Sequence, residues 1–182
     1  MFNFFFILPV VFILSKKFYI FYILYLIFLE VLILLYMIIR TSKEALKYRY
    51  DGYRLKIILG ITSKNINIIC DKVVFVHVEE DDETHDSGDF KIILIALSKF
   101  RSDRMLPIDE RFLKKHAYIA QKYYKLKTNF LENSYYYTII KRGKFKKYPL
   151  LDLIYHSCVY ADFSEEAIDT IKYYRDNSKT HN

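Results

Sequence analysis

From Phe18 to Ile39 the chain runs for 22 residues with one charged side chain, Glu30. As a helix rising about 1.5 Å per residue, this stretch reaches roughly 33 Å, enough to cross the hydrocarbon core of a bilayer. A buried core helix is the other structure open to such a run, but the length suits lipid better. A second apolar run, Phe2–Leu14, contains Pro9 and is set apart by Ser15, Lys16 and Lys17. As a helix of 13 residues it reaches only about 20 Å, short for an independent span. Either both runs form a hairpin with the lysines at its turn, or only Phe18–Ile39 spans and the first run lies at the interface or re-enters. A cleaved leader is not expected, because Met1-Phe2-Asn3 has no basic side chain and no small-x-small site follows Leu14.

Basic residues set the expected orientation. Arg40, Lys43, Lys47 and Arg49 follow the long run, whereas only Lys16 and Lys17 precede it. The positive-inside rule places the C-terminal domain in the cytoplasm, four charges to two. Two thiols, Cys70 and Cys158, need no oxidising compartment. Glu30 is the exception within the membrane segment. A carboxyl at mid-bilayer is costly, and no intramembrane Lys, Arg or His accompanies it. The expected role is a polar contact with a neighbouring helix or with a second copy, making a homo-oligomer through Glu30. One or two spans provide too little protein to line a transport pathway.

Residues 1–39 therefore read as a membrane segment (2–14 a short apolar run, 18–39 a transmembrane helix), and 40–182 as a small soluble α+β domain. Outside the apolar segment, 25 basic residues face 20 acidic ones, after Lys16, Lys17, Arg40 and Glu30 are set aside. That modest excess permits an anionic partner without requiring one. Lys, Ile, Asn, Tyr and Phe, all abundant, also share A/T-rich codons, which raises Lys without selection for charge.

Arg40–Arg49 reads as a helical continuation. From Tyr50 the pattern is strand-like: Tyr53–Thr62, Asn65–Cys70, Lys72–Val78 and Phe90–Leu97 are rich in Ile, Val, Tyr and Phe. Glu79–Asp89 is a polar hairpin loop. Pro107 is expected to open a helix reaching about Lys127, with Ile108, Phe112, His116, Ile119, Tyr123 and Leu126 on its buried face. Tyr135–Lys141 and Leu150–Tyr160 read as further strands about a basic turn at Gly143. Ser164 is a good N-cap for a last helix, with Glu165 and Glu166 in its first turn and Ala167, Ile168, Ile171 and Tyr174 inside. The expected domain is a twisted antiparallel sheet with at least one packed helix.

Arg54–Lys64, then Ile66–Ile69, Asp71 and Val73–Val78, is similar to the bacterial pleckstrin-homology-like membrane proteins. Their pattern is a strand into a glycine, a short basic turn, an apolar strand, and a charged residue before an Ile/Val-rich strand. Paired transmembrane segments before the domain are also common among them. The resemblance covers about Tyr50–Leu97 and implies a domain of that family behind the membrane segment. Cys70 and the acidic Glu79–Asp89 loop depart from the pattern, and the C-terminal third has no counterpart.

Signs of chemistry are sparse. Glu79, Glu80, Asp81, Asp82, Glu83, Asp86 and Asp89 make the loop acidic enough for weak Ca²⁺ or Mg²⁺ binding. Their spacing is not that of a Ca²⁺ loop, and a solvated hairpin tip accounts for them. His77, His85, His116, His156 and His181 lack metal-ligand spacing, and no CxxC occurs. His156, Cys158 and Asp162 would need spatial convergence to act as a nucleophilic site. Phosphate-loop, GxSxG and HExxH motifs are missing. No cofactor or catalytic residue is expected. Lys141, Arg142, Lys144, Lys146 and Lys147 form the densest basic cluster, beside Tyr135-Tyr136-Tyr137 and Tyr148. Such a cluster suits single-stranded nucleic acid, a solvated turn, or, on a membrane-tethered domain, anionic headgroups. The expected function is a non-catalytic interaction or regulatory module at the cell membrane, contacting lipid or another membrane protein. Immunity against a membrane-active peptide is the alternative, and a membrane-anchored enzyme stands third.

Overall fold

The computed structural model describes residues 20–60, 64–80, 89–99, 102, 104–129 and 134–179. The chain divides into two compact units at Lys43/Glu44. Phe2–Leu14, with its hairpin or interfacial alternatives, lies outside the described residues, as does most of the acidic loop.

Helix α1 (Ile20–Glu44) takes in the apolar run from Ile20 onward and, Glu30 apart, is apolar all round as far as Ile39. Among the described residues it is the one helix long and apolar enough to cross a membrane, over Tyr22–Thr41. Glu30 falls near its middle.

The second unit is α+β and holds two sheets. Strands β1 (Leu46–Tyr50), β2 (Arg54–Leu59) and β3 (Lys64–Ile69) form an antiparallel meander. The expected helical continuation over Arg40–Arg49 is thus corrected: the helix stops at Glu44. Leu46, Tyr48 and Tyr50 alternate with exposed Lys47 and Arg49, and this period of two, with Leu46 buried, suits a strand. Gly52, at φ 79°, makes the β1–β2 turn possible. A one-turn helix, Cys70–Lys72, leads into the second sheet.

That sheet contains β4 (Val73–Glu80), β5 (Phe90–Ala96), β6 (Leu106–Pro107), β7 (Tyr136–Ile140) and β8 (Asp162–Phe163) in the order β6-β7-β5-β4-β8. Its pairings are antiparallel except for β8, which lies parallel to β4. The two faces of the sheet carry different cores. Val76, Val78, Ile92, Leu94 and Ile140 point into the larger one, with Leu55, Ile57, Leu59, Ile66 and Ile68 of the meander. Phe75, Ile93 and Ile95 point the other way, onto Phe112 and Ile119. Burial on both faces explains why β5 is apolar at six of its seven positions, Lys91 excepted.

The helix expected from Pro107 arrives as two. Pro107 itself sits in β6. Helix α2 (Glu110–Lys115) is capped by Asp109, whose carboxylate accepts from the Phe112 N–H at 2.8 Å. His116 leaves helical geometry at φ −123°, and α3 (Ala117–Asn129) comes next. The expected inner face survives the break, with Phe112, His116 and Ile119 buried and Tyr123 and Leu126 packed beside them.

Leu150–Tyr160 is corrected from strand to helix: α4 covers Lys147–Ser157. The β-favouring Ile154, Tyr155, Val159 and Tyr160 obscured a helical spacing. Lys147, Leu150, Leu151, Ile154 and Cys158 are all buried, and they recur at three- and four-residue steps. The last helix, α5 (Glu165–Lys179), starts as expected at Ser164, whose hydroxyl accepts from the Ala167 N–H at 3.3 Å. Arg175 binds it to α4 through Asp152, Nε to carboxylate 2.7 Å.

Candidate functional site

Three polar side chains interrupt the apolar face of the sheet that meets α2 and α3. His77 and Glu79 stand two apart on β4, so the pleat points both to that face. Lys91 lies directly opposite Glu79 on β5. The break after α2 turns the His116 ring into the same space. Its Nδ1 lies 2.8 Å from the Glu79 carboxylate, and the Lys91 ammonium lies 3.8 Å from that carboxylate. One carboxylate thus gathers an imidazole and an ammonium that would be costly to bury unpaired.

His77 continues the network to α5. Its Nδ1 is 2.9 Å from Ser164 Oγ and 3.6 Å from Glu166, and its Nε2 is 3.6 Å from Glu79. Tyr118 stacks on the ring at 4.8 Å between centroids. Burial holds the imidazole below its ordinary titration range, partly opposed by the carboxylates of Glu79 and Glu166. Serine, histidine and glutamate therefore meet in the order of a nucleophilic triad. Ser164 is 2% exposed, and its hydroxyl is engaged as the cap of α5. The arrangement ties β4 to α2 and α5. Sequence reading missed it because His77 and Ser164 stand 87 positions apart. The signal within the sequence was the alternation of His77 and Glu79 with apolar Val76 and Val78.

No family model, curated protein or solved structure matches the chain.

The basic cluster is only partly a surface. Lys141 directly follows β7 and is half-buried, Arg142 and Lys146 are exposed, and Lys144 is half-buried. Lys147 is removed from the expected patch: it is 0% exposed. Its ammonium meets the carboxylate of Asp89 and the carbonyl of Phe90, with the Lys141 carbonyl at 3.1 Å. The turn that produces this split contains Gly143 at φ 122° and Lys144 at φ 40°. Between Lys144 and Lys146, Phe145 stands 84% exposed. An aromatic ring this open, held among cations, has the chemistry of a membrane-interface anchor.

Among the described residues, no three of His, Cys, Asp and Glu gather to hold a metal ion. The acidic loop at 81–88 lies outside them. His156 is exposed on α4 beside Arg175, whose guanidinium lies 2.8 Å from its Nε2, while Cys158 is buried. The convergence that a nucleophilic site of His156, Cys158 and Asp162 would need is not seen. Cys158 instead adjoins Cys70 in the core, and the neighbouring thiol, together with burial, pushes its own thiol up.

Proposed function

We propose that the protein is integral to the cell membrane through α1, and that its α+β unit is a cytoplasmic, non-catalytic interaction module engaging anionic lipid. Support for insertion comes from an all-round apolar helix whose span, Tyr22–Thr41, matches the bilayer core. Only Ala45 separates that helix from β1, so a spanning α1 would hold the domain near the surface. The likeness to bacterial pleckstrin-homology-like proteins over 50–97 accords with this reading.

The observation that carries lipid engagement is Phe145, an exposed ring flanked by Lys144 and Lys146 and near exposed Arg142. Each basic side chain near an anionic surface contributes about 1 kcal/mol, and the ring adds apolar burial at the headgroup boundary. Since the chain contains no Trp, Phe145→Trp creates a single tryptophan, which can be excited selectively at wavelengths that tyrosine does not absorb. In full-length protein reconstituted with phosphatidylglycerol, its emission should shift to the blue and be quenched by brominated acyl chains. Phosphatidylcholine alone, or raised salt, should diminish both effects. Emission of a water-exposed indole in both lipids would overturn the docking reading. Orientation is tested separately: a tag placed after Asn182 should resist added protease in intact cells and become sensitive once they are opened.

A further inference from the structure

The chain has two cysteines, and folding brings both to one place. Cys70 opens the one-turn helix that joins the meander to the second sheet. Cys158 ends α4, where its N–H donates to the Ile154 carbonyl at 2.8 Å. Both are free thiols in the larger core, each residue 1% exposed. The Cys158 S–H donates to the Cys70 sulfur. Each cysteine is also the last buried residue before an exposed turn: Asp71 and Lys72 follow Cys70, and Val159 and Tyr160 follow Cys158. The pair thus lies one residue beneath the surface, where a local opening of either turn admits a small reagent without unfolding the core.

We infer that Cys70 and Cys158 form a modification site, closing to a disulfide when hydrogen peroxide reaches them. The Cys70 sulfur attacks the peroxide and the O–O bond breaks, giving a sulfenic acid and, with the thiol proton, one water. The Cys158 sulfur, already beside it, then attacks the sulfenic sulfur. The S–O bond breaks, its oxygen leaves as a second water, and the S–S bond forms. Two thiols thereby lose two electrons and two protons, and one peroxide takes up both. The hydrogen bond sets this order. It holds Cys70 below the ordinary thiol range, against burial and Asp71, and a larger thiolate fraction reacts first. It raises Cys158, and that restraint ends once the Cys70 sulfur is a neutral sulfenic acid. The apolar surroundings favour an uncharged oxidant such as peroxide. The bridge would fasten the link between the two sheets to the end of α4. The site does not depend on lipid engagement by Phe145.

Full-length protein in neutral detergent, reduced and then freed of reductant, should be exposed to hydrogen peroxide. Thiols are counted afterwards by alkylation of the unfolded chain. Loss of both thiols together is expected, without a dimer on a non-reducing gel, and with full recovery in dithiothreitol. Cys158→Ser should retain a sulfenic acid at Cys70 that dimedone traps, at least tenfold more than at Cys158 in Cys70→Ser. The parent protein needs no substitution, so a variant that fails to fold leaves the first measurement decisive. Two thiols still present after peroxide, a bridge only between chains, or loss of thiols no faster than global unfolding would overturn the site. Equal dimedone labelling of the two variants would overturn the order of attack. Failure of the bridge leaves the Phe145 reading standing, because that test contains no oxidant.

Discussion

The ammonium of Lys147 is sealed against the carboxylate of Asp89, at the end of a turn whose Arg142 and Lys146 face solvent. The pair joins the start of α4 to the residue before β5. Lys147 also lies over the Phe90 ring, 5.0 Å from its centroid. A charge so enclosed depends on its partner, since neither member has water to replace the other. Lys147→Met, which preserves length but strands Asp89, should destabilise the full-length protein by about 3–5 kcal/mol. Asp89→Leu with Lys147→Met should cost less than the sum of the single changes. Denaturant unfolding in detergent measures both, and additive losses would contradict a coupled pair.

Gly143 is irreplaceable for two separate reasons. Its φ of 122° disfavours any side chain, and a Cβ there would lie 2.5 Å from Leu46 Cδ2 and 2.8 Å from Leu46 Cβ. The second contact involves an atom next to the backbone, so rotation of Leu46 cannot remove it. Gly143→Ala is expected to lose about 1–3 kcal/mol from crowding, with backbone strain in addition. Unchanged unfolding in Gly143→Ala would show that the turn relaxes without cost.

The buried His77 ring makes stability fall toward acid. Its folded titration lies below the ordinary value because burial disfavours the cation. The unfolded chain therefore takes up a proton near about pH 6.5, before the folded chain does. Stability contributed by the neutral ring is complete above that pH and declines as pH falls toward the folded value. Glu79 and Glu166 favour the protonated ring and moderate the decline, while His116 opposes protonation. His77→Gln should flatten the slope of unfolding free energy between about pH 7 and 5.5. An undiminished slope would assign the acid sensitivity elsewhere.

Glu30 provides a test of the membrane reading. A carboxyl among lipid tails gains a hydrogen bond only from another helix or a second copy, worth on the order of 0.6–2 kcal/mol. Glu30→Leu should insert at least as well as the parent while weakening self-association, measured by cross-linking or energy transfer in vesicles. Glu30→Gln, which retains hydrogen bonding, should behave like the parent. Association untouched by Leu would remove this contact.

The features readable from sequence alone depended on short-range periodicity. The apolar run around Glu30 is contiguous, so α1 was legible without tertiary information. β2–β5 carried β-branched runs broken by turns, and Ser164 followed by two glutamates announced α5. Even the helical stripe through Phe112, His116 and Ile119 was visible, although the break at His116 was not. Leu46–Arg49 and Leu150–Ser157 were misread because short apolar and aromatic runs fit both helix and strand; burial of Leu46 on one strand face, and of Leu150 and Ile154 on one helix face, decided between them. The functional surfaces needed tertiary structure most. Lys147 and Lys146 are neighbours in a basic run, yet the turn at Gly143 leaves one in the core and the other in solvent. His77 meets Ser164 across 87 residues. Charge and hydropathy are properties of positions along a chain, whereas a site is made by positions that only folding brings within a few ångströms.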